Sequence, residues 1–335
     1  MRTHLTPDRF TTITLSKPPE GVAARIAVLI PCYNEEAAIH SVVSGFRDAL
    51  PNADVYVYDN NSTDGTIAAA RSAGAIVRHE PLQGKGHVVR RMFADVEADI
   101  YVLVDGDGTY DPNMAPAMIA RMCTDGLDMI IGKRISREAA AYRPGHQIGN
   151  RLLTGLVRFV FGDGVSDLLS GYRVFSRRFV KSFPALASGF EIETELTVHA
   201  LELRMPLDEV PTEYRARQEG GYSKLRTISD GARILRTILM LMKEERPLPF
   251  FSSCALVFLV LGLDGGIPVV LHYLRTGLVP RLPTAVLASG LVLLSFISLS
   301  LGLILDSVTL GRREMKRLMY LMIPGVNALS GPRDS

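Results

Sequence analysis

Three carboxylates crowd the stretch YVLVDGDGTYDP (residues 101–112): Asp105, Asp107 and Asp111, with Gly106 and Gly108 between them. Val102, Leu103 and Val104 precede them as a short apolar run, so the acids open at the end of a buried strand. Carboxylates one residue apart on such a turn can both reach one hard, octahedral cation such as Mg2+ or Mn2+. Such ions keep waters and take phosphate oxygens as further ligands. Counting positions excludes a calcium loop: an EF-hand opening at Asp105 needs Gly sixth and Glu twelfth, and those places hold Tyr110 and Pro116. A P-loop around QGKGH fails as well. Gly86 follows Lys85 where Ser or Thr is required, and His79 stands where the first Gly should be.

An Asp-x-Asp pair alone is common in turns, and its weight comes from the elements that position it. RIAVLIP, ADVYVYD, AIVRHE, DIYVLVD and DMIIGKR read as strands between residues 25 and 134. Helical spacing fills the gaps, as in NEEAAIHSVVSGFRDAL and GKGHVVRRMFADV, and Gly74 closes IAAARSAG as a helix stop. The alternation predicts an α/β fold with βαβ units and a mostly parallel sheet. Ligands of such sheets lie beyond the carboxyl ends of the strands. Residues 31–35, 59–64 and 105–111 all fall there.

The chain has 335 residues and a formal net charge of only +2, which gives no bulk attraction for nucleic acid. Cys32, Cys123 and Cys254 lack paired spacing, which argues against zinc or a disulfide framework and suits a reducing compartment. Residues 1–24 lack the apolar core of a signal peptide and read as a loose lead-in. Apolar excess gathers after residue 249: segments 250–274 and 285–305 are each about long enough to cross roughly 30 Å of hydrocarbon. They predict a transmembrane hairpin over 250–310. Asp264, among Gly262, Gly265, Gly266 and Pro268, must face a partner helix or a wet cavity, or mark a local break in its helix. Lys243 and Arg246 precede the first span and Arg312, Arg313, Lys316 and Arg317 follow the second, against Arg275 and Arg281 between them. Positive charge inside then puts domain 25–225 and tail 311–335 in the cytoplasm. In 226–249, Arg226, Arg233, Arg236 and Lys243 oppose Ile228, Leu235 and Leu239, the pattern of a helix lying on anionic lipid.

The motifs VLIPCYNEE, YDNNSTDGT, GKG, VLVDGDGTYDP and SDLLSGYRVFSR together resemble the large inverting glycosyltransferase family with a nucleotide-diphosphosugar-binding (GT-A type) fold. RARQEGGYSKLR, followed by an interface helix and two spans, is similar to its polyprenyl-phosphate branch, and the match covers nearly the whole chain. The resemblance implies a nucleotide-sugar donor of the UDP-glucose or GDP-mannose class, a polyprenyl-phosphate acceptor and Mg2+ or Mn2+ as cofactor. Pro31, Tyr33 and Glu35 would line the nucleobase and ribose pocket, with Asp59 near the base and Lys85 and Gly106 at the donor. Asp105 and Asp107 would hold the metal and diphosphate. Arg134 and Arg151 would clamp phosphates, and Arg217, Ser223 and Lys224 would close over the donor. Asp167 takes the place of the family's catalytic acidic residue. Asn60 and Asn61 depart from the usual Asp and Gly, and Thr109 replaces a metal-assisting Gln, so Thr109 and Asp111 both stand as candidates for a third ligand. Arg215 shares the candidacy of Arg217, because RQEGGYSK is one residue longer than the family loop. Glu191 and Glu193 read simply as acids at the positive end of a helix. The lack of any tryptophan removes the motif of processive polysaccharide synthases. A different glycan acceptor, a non-catalytic scaffold that only binds nucleotide sugar, and a homo-oligomer remain compatible with the sequence.

Overall fold

The computed structural model describes residues 24–135, 154–155, 157–158, 165–185, 189, 191–215, 235–236, 238–240 and 242–326. The five strands read in the sequence form as β1 (Ile26–Cys32), β2 (Asp54–Asp59), β3 (Ile76–His79), β4 (Ile100–Leu103) and β5 (Met129–Ile135). Helices α1 (Glu36–Ala49), α2 (Thr66–Ser72), α3 (Lys85–Asp95) and α4 (Ala115–Asp125) connect them. Two strands absent from the sequence reading, β6 (Arg173–Ser176) and β7 (Leu207–Glu213), complete a sheet ordered β3-β2-β1-β4-β6-β5-β7. Only β6 runs against its neighbours β4 and β5; the other pairs are parallel.

The period of two along the strands builds two cores. Leu29, Tyr101, Leu103, Ile131 and Phe175 face α3, α5 (Arg177–Ser182) and α6 (Ile192–Glu202), meeting Met92, Phe93, Phe179 and Leu196. The alternate residues Val28, Ile30, Val57, Val102 and Ile130 face α1 and α4, meeting Ile39, Phe46, Met118 and Met122. Both faces are covered, as a largely parallel sheet requires. From β1 the chain steps outward to β2 and β3, then returns through α3 to the other side of β1 as β4. That reversal opens a crevice between the carboxyl ends of β1 and β4.

Two long helices follow. α7 (Pro247–Thr276) and α8 (Leu282–Leu321) are each long and apolar enough to cross a membrane, by length and composition. They meet where Gly262 leaves no room: a Cβ there would lie 2.9 Å from Val292 Cγ2 and 3.2 Å from the Ala288 carbonyl oxygen. α7 runs unbroken through Asp264 and Pro268, and Asp264 lies on its exposed side. The segment expected as a tail from 311 is helical to Leu321 and fastened to the domain. Lys316 Nζ donates to Glu202 Oε2 (2.9 Å) and Glu245 Oε1 (3.0 Å). The Tyr320 hydroxyl donates to Asp128 Oδ2 (2.6 Å) under the Arg178 guanidinium. In the described part of 226–249, Ile238 is buried against Leu168 and Val198 while Leu235 and Leu239 stay exposed. Arg226 and Arg233 lie outside the described residues.

His199 on α6 is enclosed edge-on by Phe179 and Phe183, its Nε2 3.3 Å from Ser182 Oγ. Burial, helped by the charge of Lys316, pushes its pKa down to about 3. The unfolded chain takes up this proton near a pH of about 6.5 and the folded one refuses it. Stability is therefore present above about 6.5 and falls as pH falls, by up to about 1.4 kcal/mol per pH unit. Urea midpoints of the detergent-solubilised protein are expected to fall more steeply between about pH 6.5 and 4.5 than those of His199→Gln. Parallel slopes would rule this coupling out.

Candidate active site

Past β4 the chain lies down across the end of β1. A Cβ on Gly106 would sit 2.6 Å from Cys32 Sγ and 3.3 Å from Ile30 Cγ2, so glycine is what lets the acidic loop approach. Gly108 then turns it with φ +74°, a left-handed conformation that suits glycine. Asp107 is buried and its Oδ1 accepts from the Thr109 amide (3.2 Å) and hydroxyl (2.7 Å). Asp105 Oδ1 accepts from Lys85 Nζ at 2.5 Å. Behind Asp105 lies Gly171, where any Cβ would collide with the carboxylate.

Lys85 opens α3, and Asn60 sets where it points. Asn60 Nδ2 donates to the carbonyls of Glu80 (2.9 Å) and Leu82 (2.8 Å), and its Oδ1 accepts from the Gly84 amide (2.7 Å). Asn61 beside it is left-handed, φ +67°, which Asn tolerates. Lys85 Nζ makes a second bond of 2.5 Å to Glu193 Oε1, on the first turn of α6. Burial alone would lower the Lys85 pKa; Asp105 and Glu193 outweigh it and hold the ammonium above its usual range. Burial, with Asp105 nearby, raises the Glu193 carboxyl in spite of Lys85. Glu193, read from sequence as a mere helix start, is thus part of the site.

Arg134 at the end of β5 and Asp167 were expected to do separate jobs, and the structure joins them. Arg134 Nε and Nη2 donate to Asp167 Oδ2 (2.8 Å) and Oδ1 (2.6 Å), and the Arg134 amide adds a third bond (3.1 Å). The guanidinium also rests on the Tyr214 ring, 5.6 Å from its centre. Glu209 of β7 braces Asp167 from below, accepting from the amides of Ser166 (2.6 Å) and Asp167 (3.0 Å). Fully buried Arg173, inside the SDLLSGYRVFSR motif but given no role from sequence, ties the same loop by bonds to the Leu168 and Ser170 carbonyls and to Thr197 Oγ1. Burial lowers its pKa to about 10, which still leaves it charged near neutrality.

On the crevice's other wall, Pro31 is the penultimate residue of β1 and pairs with Tyr58, and Tyr33 is exposed. The Asn34 amide donates to Ser62 Oγ and the Glu35 amide to Thr66 Oγ1, which ties residues 33–36 to the loop after β2. Asp59 is 1% exposed, accepting from the Ser62 amide with His79 Nδ1 3.3 Å away, so it sits beneath that loop rather than open to the crevice. Arg151, Arg217, Ser223 and Lys224 lie outside the described residues. The strand that leads to the last three does end at this edge: Tyr214 bridges to Tyr110, and the Arg215 amide donates to the Thr109 carbonyl (2.9 Å). The Arg215 side chain turns to Glu213 (2.9 Å).

Asp105 and Asp107 offer hard oxygen donors, and with Glu193 they set three carboxylates against the one ammonium of Lys85. The two aspartates as hard oxygen donors fit Mg2+ or Mn2+. Among the described residues no group of three metal-ligating side chains forms. Thr109 gives its hydroxyl proton to Asp107, and Asp111 caps the turn Pro112–Met114 by accepting from the Asn113 amide (3.1 Å). Two carboxylates with phosphate and water completing the shell is the habit of Mg2+.

Residues 27–183 match the family model described as glycosyl transferase family 2. The chain is 33% identical over 303 residues to glycosyltransferase AglJ of Haloferax volcanii, covering 88% of this chain and 98% of that protein. It is 29% identical over 221 residues to a dolichyl-phosphate hexose transferase of the same organism, covering 66% of this chain and 95% of that protein. Among solved structures it is similar to glucosyl-3-phosphoglycerate synthase of Mycobacterium tuberculosis in complex with Mn2+ and UDP-glucose. There the TM-score is 0.54 at 25% identity, over 65% of this chain and 78% of that one.

Asn60→Asp keeps shape but removes both donors to the loop that presents Lys85. It is expected to cost about 2 kcal/mol in thermal unfolding and to weaken donor-nucleotide binding measured by calorimetry. Unchanged nucleotide affinity would mean the loop needs no such bolt.

Proposed function

This chain belongs to glycosyl transferase family 2, in its polyprenyl-phosphate branch, and on that premise we propose that it moves one hexose from a nucleotide diphosphosugar to polyprenyl phosphate at a membrane surface. The observation that carries this reading is the placement of Asp105 and Asp107 with Lys85 and Arg134 at one carboxyl edge of the sheet.

Pro31, Tyr33 and Glu35 form the nucleoside side of the crevice, and Asp59 beneath them holds the loop after β2 in place. Lys85 spends two of its three N–H donors on Asp105 and Glu193 and keeps one for the donor diphosphate. Asp105 and Asp107 would hold Mg2+ or Mn2+, which when bound offsets the charge building on the departing diphosphate. The similar synthase with bound Mn2+ and UDP-glucose supports this. A lipid phosphate monoester has a second pKa of about 6, by analogy with phosphorylated side chains, and is mostly dianionic at neutral pH. It needs positive charge to approach a second phosphate more than it needs a base. Arg134 supplies positive charge for it, and Asp167, holding Nε and Nη2, keeps the guanidinium in orientation. Arg151, Arg217, Ser223 and Lys224 add the remaining phosphate contacts. A phosphate oxygen attacks the anomeric carbon, the bond to the donor phosphate breaks, and the nucleoside diphosphate leaves with inversion. α7 and α8 anchor the enzyme with its domain in the cytoplasm, as the flanking Lys243, Arg246, Arg312 and Arg313 favour.

The test is transfer by the detergent-purified protein to undecaprenyl phosphate with Mg2+ or Mn2+. Labelled UDP-glucose, GDP-mannose and UDP-N-acetylhexosamines are offered in turn. Label is expected in an organic-extractable lipid that mild acid cleaves, with Asp107→Asn slower by about 100-fold or more. No labelled lipid from any donor overturns the proposal. Asp167→Asn is expected to raise the acceptor KM and keep the shape of the pH–rate profile. Loss of the acidic limb in that variant would assign Asp167 a base's role instead.

A further inference from the structure

We propose that Lys85 is an internal counter-cation that neutralises Asp105 until a divalent ion takes its place, and that Glu193 is the positioning residue that then keeps the ammonium in the site. The inference rests on the reading of Asp105 and Asp107 as ion ligands given above.

Three observations carry it. Lys85, its side chain 9% exposed, lies 2.5 Å from both carboxylates, so it already straddles the positions it would occupy before and after exchange. Asp105 cannot retreat, because its carboxylate is backed against Gly171, and Lys85 cannot swing away, because Asn60 and Gly84 fix its root. The exchange is therefore a short move of the ammonium between two fixed partners. Finally, Glu193 Oε2 is buried and accepts no hydrogen bond among the described residues, a spare acceptor beside the ammonium.

Charge gives the same answer. Asp105 and Glu193 share the one ammonium of Lys85, so an incoming divalent ion at Asp105 relieves a competition of two carboxylates for one cation. A buried ammonium without a partner is costly. Without Glu193 to receive it, Lys85 would hold Asp105 against the incoming ion. The lysine thus keeps the acidic loop folded in the ion-free enzyme, and the glutamate keeps it from becoming an inhibitor.

The experiment measures Mn2+ alone, then Mn2+ with UDP, binding to the full chain in detergent by electron paramagnetic resonance of the free ion. Glu193→Gln, nearly isosteric, is expected to weaken Mn2+ binding about tenfold, and Glu193→Asp to restore most of it. A Lys85→Met/Glu193→Gln double variant removes the competitor with its partner and is expected to bind Mn2+ at least as tightly as wild type. Glu193→Gln binding Mn2+ like wild type, or a folded double variant binding as weakly as Glu193→Gln, overturns the inference. Should melting curves show the double variant unfolded, the Glu193→Gln and Glu193→Asp comparison decides alone. A wild type that binds no Mn2+ in either condition overturns the ion-ligand reading and this inference together, while the lipid-transfer assay judges the acceptor separately.

Discussion

Negative charge gathered at one edge of the sheet is the constraint the rest of this protein answers to. Asp107, Asp167 and Glu193 are buried beyond the strand ends and Asp105 is half-buried beside them, where an unpaired carboxylate is costly. The fold brings matching cations from different parts of the chain. Lys85 arrives at the head of α3 and Arg134 at the end of β5. Neither is adjacent in sequence to the acid it neutralises. The order of the sheet, with β6 turned against its neighbours, is what puts the Asp167 loop and α6 over the same edge as β4.

Much of this was legible in the residues. The runs that become β1 to β5 are short, apolar and punctuated, and helix spacing between them is clear, so the parallel half of the sheet could be read directly. β6 and β7 could not. RVFS is too short to show a period and contains a fully buried arginine. LDEVPTE is polar, carries Pro211 and lies at the sheet's edge, where Pro is tolerated. Their identity as strands comes from pairing partners far away in sequence.

The site divides in the same way. Asp105, Asp107, Lys85, Arg134 and Asp167 stand out through spacing and family resemblance. Their partnerships do not, because Lys85 and Glu193 are 108 positions apart. FEIETEL offers three acids, all of them buried, with nothing local to tell which one meets Lys85. Asn60 looked like a departure from a pattern; its amide proves to be the bolt of the loop before α3. Arg134 and Asp167 show the converse: both belonged to the site, and what sequence hid was that each occupies the other.

α8 is one helix of 40 residues, which at about 1.5 Å per residue makes a rod about 60 Å long. Its upper part is the apolar stretch proposed to lie in the bilayer; its lower turns are riveted to the catalytic domain through Lys316 and Tyr320. No hinge interrupts it. With the hairpin in a membrane, the catalytic domain therefore hangs at a set height, like a lamp on a rigid stem. The proposed polyprenyl acceptor would then have to raise its head group to meet the crevice, and membranes of different thickness would present that head group at different heights to the same enzyme.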